Sequence, residues 1–250
     1  MDDWDQINRR INDFAIRSFR DVADRDYIAA RMACRAQLLP QFMWSAQQAI
    51  EKYLKCILLV NRIPAKKVGH NISAALDLTK KLTFALEIHP QSQAIISHLA
   101  AYGQYRYLDV SYFVDGHVLP QLDMAVWELR RYCQVLNVFG KILPDAEQQL
   151  LEQCLVELKE SKNKSPHIFR LRDGLLESIV DDKGNPARGP LIWQNALFGK
   201  KARRTIKSQY QMHAANAPLY LFPQMLEELV KYVKIPDKLQ DAYRSLLKPN

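Results

Sequence analysis

The sequence predicts a mainly α-helical protein, a helical bundle followed by a smaller α or α+β C-terminal extension. Three observations predict it. Eight glycines in 250 residues are few for a turn-rich β fold. The stretch QQAIEKYLKCILLV, residues 47–60, puts Ala49, Ile50, Tyr53, Leu54, Ile57 and Leu58 on one broad apolar helix face, with Glu51 and Lys55 a turn apart in the favourable acid-before-base order. The same periodicity recurs in segments separated by proline, glycine or capping residues.

In chain order, Ile7, Ile11, Phe14, Ala15 and Phe19 form a short amphipathic helix that the acidic run from Asp21 to Asp26 interrupts. Asp24 or Asp26 then caps a helix carrying Tyr27, Ile28, Met32, Leu38 and Leu39. Pro40 ends it and suits the first turn of the central helix, about Phe42 to Asn61. Asn71 or Ser73 caps a helix through Leu82 or beyond, and His89-Pro90 breaks the chain before a helix from Ala94 to about Tyr107. A long helix from Leu119 to Phe139 buries Leu122, Val126, Leu129, Cys133 and Leu136, with Gly140 as its C-cap. The bundle is thus residues 1–140 and the extension residues 141–250. In the extension, Ala146 to Lys159 is amphipathic and ESKNKSP reads as a linker. Residues 174–198 hold two apolar stretches around DDKGNPARG, turn chemistry that permits a β-hairpin. A helix from Gly199 to His213 is equally permissible for the basic run, and two closing helices begin near Pro223 and Pro236.

An apolar content of 48% with 25% charge excludes a disordered chain, and no apolar run approaches the roughly 18 residues of a membrane span. The opening MDDWDQ lacks signal-peptide character, and Cys34, Cys56, Cys133 and Cys154 form no CxxC pair. A cytoplasmic protein with reduced thiols is expected. The net charge of +8 is local: residues 162–207 hold eleven basic and four acidic residues, a net of +7. Local excess points to a polyanion-facing surface. Lys200, Lys201, Arg203, Arg204 and Lys207 concentrate it, and on a helix four of them form one stripe, with Phe198 and Tyr210 as stacking faces. The alternative is a solvated face or a surface for an acidic protein.

DYIAARMACRAQLLPQFMWSAQQAIEKYLKCILL, then GHNISAALDL, then YGQYRYLD and a long final helix resemble the HEPN family (higher eukaryotes and prokaryotes nucleotide-binding domain) over about residues 26–139. The resemblance implies an up-and-down bundle of four or five helices that usually dimerises. It also implies association with RNA or nucleotides, often beside a nucleotidyltransferase or within toxin–antitoxin systems. Many members are metal-independent ribonucleases in which Arg precedes His by four to six intervening residues, so that one holds phosphate and the other moves a proton. None of His70, His89, His98, His117, His167 or His213 has an Arg at that spacing.

The expected function is therefore a non-catalytic module for RNA or a nucleotide, acting as a homodimer or with a partner protein. The alternatives are a degenerate ribonuclease using Arg106 with His98 or His117, and a protein–protein adaptor. Arg31, Glu51, Lys52, Lys55, His70 and Arg106 are the ligand-binding candidates. For Glu51 the plainer role is pairing with Lys55 or Arg31 to fasten helices, and for His70 hydrogen bonding within its loop. No catalytic set, metal constellation or cofactor motif is expected.

Overall fold

In the computed structural model, residues 3–103, 108–136, 145–161, 163–203, 205–206 and 212–247 are described, and the fold is mainly helical. Helix α1 (Asp3–Phe14) runs through a π-helical segment (Ala15–Arg20) straight into α2 (Asp21–Arg35). The acidic run does not interrupt the helix. Asp24 is fully buried inside it, where Arg130 and the Tyr53 hydroxyl bind its carboxylate, so it is a partner for other helices and not a cap.

A short turn, with Gln37 at φ 58°, leads to α3 (Leu39–Val60), and α2 and α3 form a helical hairpin. Pro40 sits in the first turn of α3, where a missing N–H costs nothing. Helix α3 is the axis of the molecule: α1, the π segment, α2, and later α4, α5 and α6 all pack on it. Its apolar residues from Phe42 to Val60 are buried nearly all round, as expected of a helix with neighbours on most sides.

Asn71 caps α4 (Ile72–Leu78) by accepting from the Ala74 N–H at 3.0 Å, and a 3₁₀ turn (Thr79–Lys81) ends it. His89 starts α5 (Pro90–Tyr102) by accepting from the Gln91 N–H. Strand β1 (Tyr112–Val114) precedes α6 (Val118–Arg130), which is shorter than expected and passes into turns by Cys133; Gly140 lies outside the described residues.

The extension does not stand apart from the bundle. In α7 (Asp145–Ser161), Leu158 joins the main core; so do Leu176, Ile179 and Val180 of α8 (Leu175–Asp181) and Leu191 of α9 (Arg188–Ile192). Those last two helices replace the hairpin expected over residues 174–198. The turn chemistry between them is real, with the Gly184 N–H donating to the Asp182 carboxylate at 2.9 Å, but it joins helices, since Arg188 donates back to the Val180 carbonyl. No described residue between 199 and 212 is helical, so the basic stripe has no helix beneath it there.

Strand β2 (His213–Ala215) pairs antiparallel with β1, Phe113 opposite Ala214, and returns the chain to the bundle. Three short helices follow, α10 (Pro218–Leu221), α11 (Leu226–Leu229) and α12 (Asp237–Leu246). They enclose a second small core of Leu219, Leu226, Ile235, Leu239 and Tyr243. The Tyr243 hydroxyl donates to the Asp109 carbonyl at 2.5 Å, anchoring that core to the segment before β1.

Candidate functional site

The best-formed polar constellation with access to solvent grows from α3 and the turn before α4. Gln47, Glu51 and Lys55 are spaced by four residues and so rise up one side of α3. Opposite them, Gly69 adopts φ 58° and ψ −122°, a backbone region that a Cβ disfavours, and Asn71 two residues later is locked as the α4 cap. Between these fixed points His70 is turned onto α3. Its Nδ1 lies 3.1 Å from both oxygens of Glu51. Gln47 Nε2 donates to the His70 carbonyl at 3.2 Å and to Glu51 at 3.3 Å, and Lys55 Nζ donates to Glu51 at 2.7 Å.

Burial divides the pair into two roles. The Glu51 side chain is only 4% exposed, whereas that of His70 is 79% exposed. A carboxylate on Nδ1 selects the tautomer with its proton there, which leaves Nε2 free to accept, or to donate once the ring is protonated. His70 is therefore a held imidazole facing water. It borders a cleft of about 530 Å³ shared with Asn71, Ser73, Ser97 and Lys238 of α12, a volume in the range of small-molecule sites. Hydroxyls, an amide, an imidazole and an ammonium can together receive a phosphate-bearing ligand.

Three of the six ligand-binding candidates, Glu51, Lys55 and His70, meet here. Lys52 points to a neighbouring edge of α3, where it donates to Asp26 at 2.6 Å and Gln48 at 3.0 Å. Arg31 belongs elsewhere and does not pair with Glu51. It is fully buried, with its guanidinium spent on the Asp123 carboxylate and the carbonyls of Pro190 and Trp193, so it clamps the extension and faces no ligand. Arg106 lies outside the described residues.

Of the basic segment, Lys200 and Arg170 converge on one carboxylate, Asp181, at 3.3 and 2.5 Å, which holds the stretch after Phe198 against α8. Lys201 and Arg203 are exposed with no partner among the described residues, while Arg204, Lys207 and Tyr210 lie outside them. Phe198 is partly buried against the core, with one side of its ring tilted against Tyr27 at 5.6 Å. His98 sits in an aromatic group with Tyr102 and Phe113, and burial lowers its pKa.

Two buried networks escaped the sequence reading. Arg130 makes paired hydrogen bonds to Asp24 (2.8 and 2.9 Å) and to Glu177 (2.7 Å each). Burial alone would raise the Glu177 pKa, but the Arg130 guanidinium outweighs it and holds the carboxyl below its usual range. The second network joins Asp123, Tyr27 and Asn195 to Arg31. Partners up to 168 residues apart leave no local signal in the sequence. Among the described residues no cluster could hold a metal ion, and no helix is long and apolar enough to cross a membrane.

The comparisons with known proteins point one way. A family model described as HEPN domain matches residues 16–144, which adds most of the π segment and the first turn of α2 to the stretch that carries the resemblance. No curated protein and no solved structure matches the chain.

Proposed function

The chain belongs to the HEPN domain family, and on that premise we propose that it is a non-catalytic module that binds RNA or a nucleotide at the His70 cleft. The single observation that carries this reading is the exposed imidazole held through Nδ1 by a buried carboxylate, at the rim of a cleft that Lys238 shares. Such a ring presents Nε2 to the cleft, and Lys238 adds an ammonium for a phosphate oxygen. The exposed Lys201 and Arg203 supply sequence-independent attraction for a longer polyanion. The missing Arg–His spacing favours binding over cleavage. Family membership further supports action as a homodimer or with a partner chain, in a nucleotidyltransferase-associated or toxin–antitoxin setting.

The test is titration of the purified protein with ATP, GTP and a fluorescently labelled unstructured RNA at low salt. His70→Ala and Lys238→Ala are expected to weaken mononucleotide binding by about tenfold or more, one charge-assisted hydrogen bond each. Lys201→Ala with Arg203→Ala is expected to weaken RNA binding and flatten its salt dependence while sparing the mononucleotide. Failure to bind any of these ligands at low salt would overturn the proposal.

A further inference from the structure

The join between α1 and α2 carries a second surface that neither the His70 cleft nor the basic segment includes. One side of this continuous helix is a shallow, open groove between the side chains of Arg10, Phe14, Arg17, Ser18 and Arg25, with Asp13 and Asp21. The π-helical segment Ala15–Arg20 lies at its centre. Such turns are rare, and they occur often at functional sites.

Charge in the groove is not cancelled locally. Asp21 is already engaged by Arg20, whose Nε lies 2.9 Å from it and whose side chain is buried. Asp13 makes only an exposed contact with Arg17 at 3.5 Å, and Arg25 donates to a backbone carbonyl, that of Asp21, which neutralises nothing. Arg10 has no partner among the described residues and is exposed. Three guanidinium groups thus face solvent against one exposed carboxylate.

Phe14 lies among them, half exposed in the middle of a charged face. Its ring meets Phe19 edge-on, at 5.8 Å and 81°, so one neighbour steadies it while its surface stays open. A large apolar ring is placed there at a hydration cost that packing does not offset. From Arg10 to Arg25 the helix extends about 20 Å, at roughly 1.5 Å per residue and somewhat less through the π turn. A strand carries about six phosphates over that length, at roughly 3.4 Å per phosphate along a stacked strand. Guanidinium groups flanking an exposed aromatic ring suit a single strand, whose phosphates take the charges and whose unpaired bases stack.

We propose that this groove is a second contact for single-stranded RNA, with Phe14 as the stacking face for a base and Arg10, Arg17 and Arg25 as phosphate contacts. The proposal rests on the RNA half of the reading above and commits to an oligonucleotide as the ligand.

The test compares the full chain with Arg10→Ala/Arg17→Ala/Arg25→Ala, with Phe14→Leu and with Phe14→Trp, using labelled unstructured RNA, ATP, and an acidic peptide of matched charge. The arginine variant is expected to bind RNA at least about tenfold more weakly, with the slope of log affinity against log salt shallower by about 2, three single-strand contacts at roughly 0.7 each. Phe14→Leu keeps the contact with Phe19 but is expected to cost about tenfold in RNA affinity, and Phe14→Trp to retain it. ATP binding is expected to stay unchanged in all three. Thermal melts superimposable with the parent show that these exposed positions do not carry the fold. RNA binding that His70→Ala weakens but the arginine variant leaves unchanged in affinity and slope would sink this inference alone. Wild-type protein that binds neither ATP nor RNA would sink the proposed function with it. Equal affinity for the acidic peptide and the RNA, with the same dependence on Phe14, would assign the groove to a protein partner and overturn the RNA contact.

Discussion

Arg130→Met offers the sharpest test of how the extension is joined to the bundle. Arg130 is 3% exposed and bridges α2, through Asp24, to α8, through Glu177, using four contacts of 2.7–2.9 Å. Met roughly matches the aliphatic stem but supplies no donor. Two carboxylates are then left inside the protein. Asp24 retains the Tyr53 hydroxyl at 2.6 Å, and Glu177 retains the Leu171 N–H at 3.0 Å. Breaking a buried pair in this way costs about 3–5 kcal/mol, since an uncompensated charge remains. With a urea m-value of about 2–3 kcal/mol/M the midpoint falls by roughly 1–2.5 M. The assay is urea unfolding followed by both far-ultraviolet circular dichroism and tryptophan fluorescence, coincident curves confirming a single transition. Adding Asp24→Asn and Glu177→Gln to Arg130→Met removes the orphaned charges and is expected to restore part of the loss. A destabilisation below about 1 kcal/mol, or a triple variant no more stable than the single, would refute the view that unpaired carboxylates carry the cost. The basic segment feels the same change, because Asp181, which holds Lys200, ends the helix that Arg130 anchors.

Two further predictions concern single positions. Gly69→Ala meets no atom within 4 Å, so its cost of about 1–3 kcal/mol is backbone strain at φ 58° and not a clash. Paired unfolding and ATP titrations are expected to show binding weakened beyond what the stability loss explains, because that turn aims His70. The second prediction is an acid limb. Arg130 depresses the folded-state pKa of Glu177 below the usual 4.5, so its stabilisation is complete above that value and is lost as pH falls through the folded pKa. Unfolding free energies measured from pH 6 down to 3 are therefore expected to fall more steeply for the parent than for Glu177→Gln.

The parts of the fold legible in the sequence are those encoded by neighbours. The stripe in QQAIEKYLKCILLV, Pro40 in a first turn and Asn71 as a cap all act within one or two turns, and each stands where the pattern puts it. Illegible were residues whose partners lie far along the chain. Asp24 has the composition of a cap and the position of a break, yet Arg130, 106 residues on, makes it a core residue. The same physics misplaced Arg31, which one α-helical turn would set near α3, but which Asp123 and the carbonyls of Pro190 and Trp193 claim for the core. DDKGNPARG forms the turn that its composition implies. What it joins depends on Leu176, Ile179 and Leu191 reaching a core that local pattern does not reveal.

The candidate site falls between these two cases. Glu51 with Lys55 is a helical pair visible from spacing alone, and GHN is a turn visible from Gly69 and Asn71. What spacing could not supply is that Glu51 is buried while its partner His70 is not. That asymmetry is what supports the proposal of a ligand role over a fastening one. A salt bridge whose only task is to join helix to loop has no need of an imidazole that keeps most of its surface in water. With Nδ1 held on a buried carboxylate, the ring is fixed in orientation and tautomer and offers Nε2 to whatever enters the cleft. Lys238 stands on the cleft wall, and Lys201 and Arg203 are exposed on the segment after α9. A mononucleotide needs only the first. A ligand that also used Lys201 and Arg203, or the arginines beside Phe14, would have to be longer than one nucleotide, so the dependence of affinity on oligonucleotide length discriminates between the two ligands.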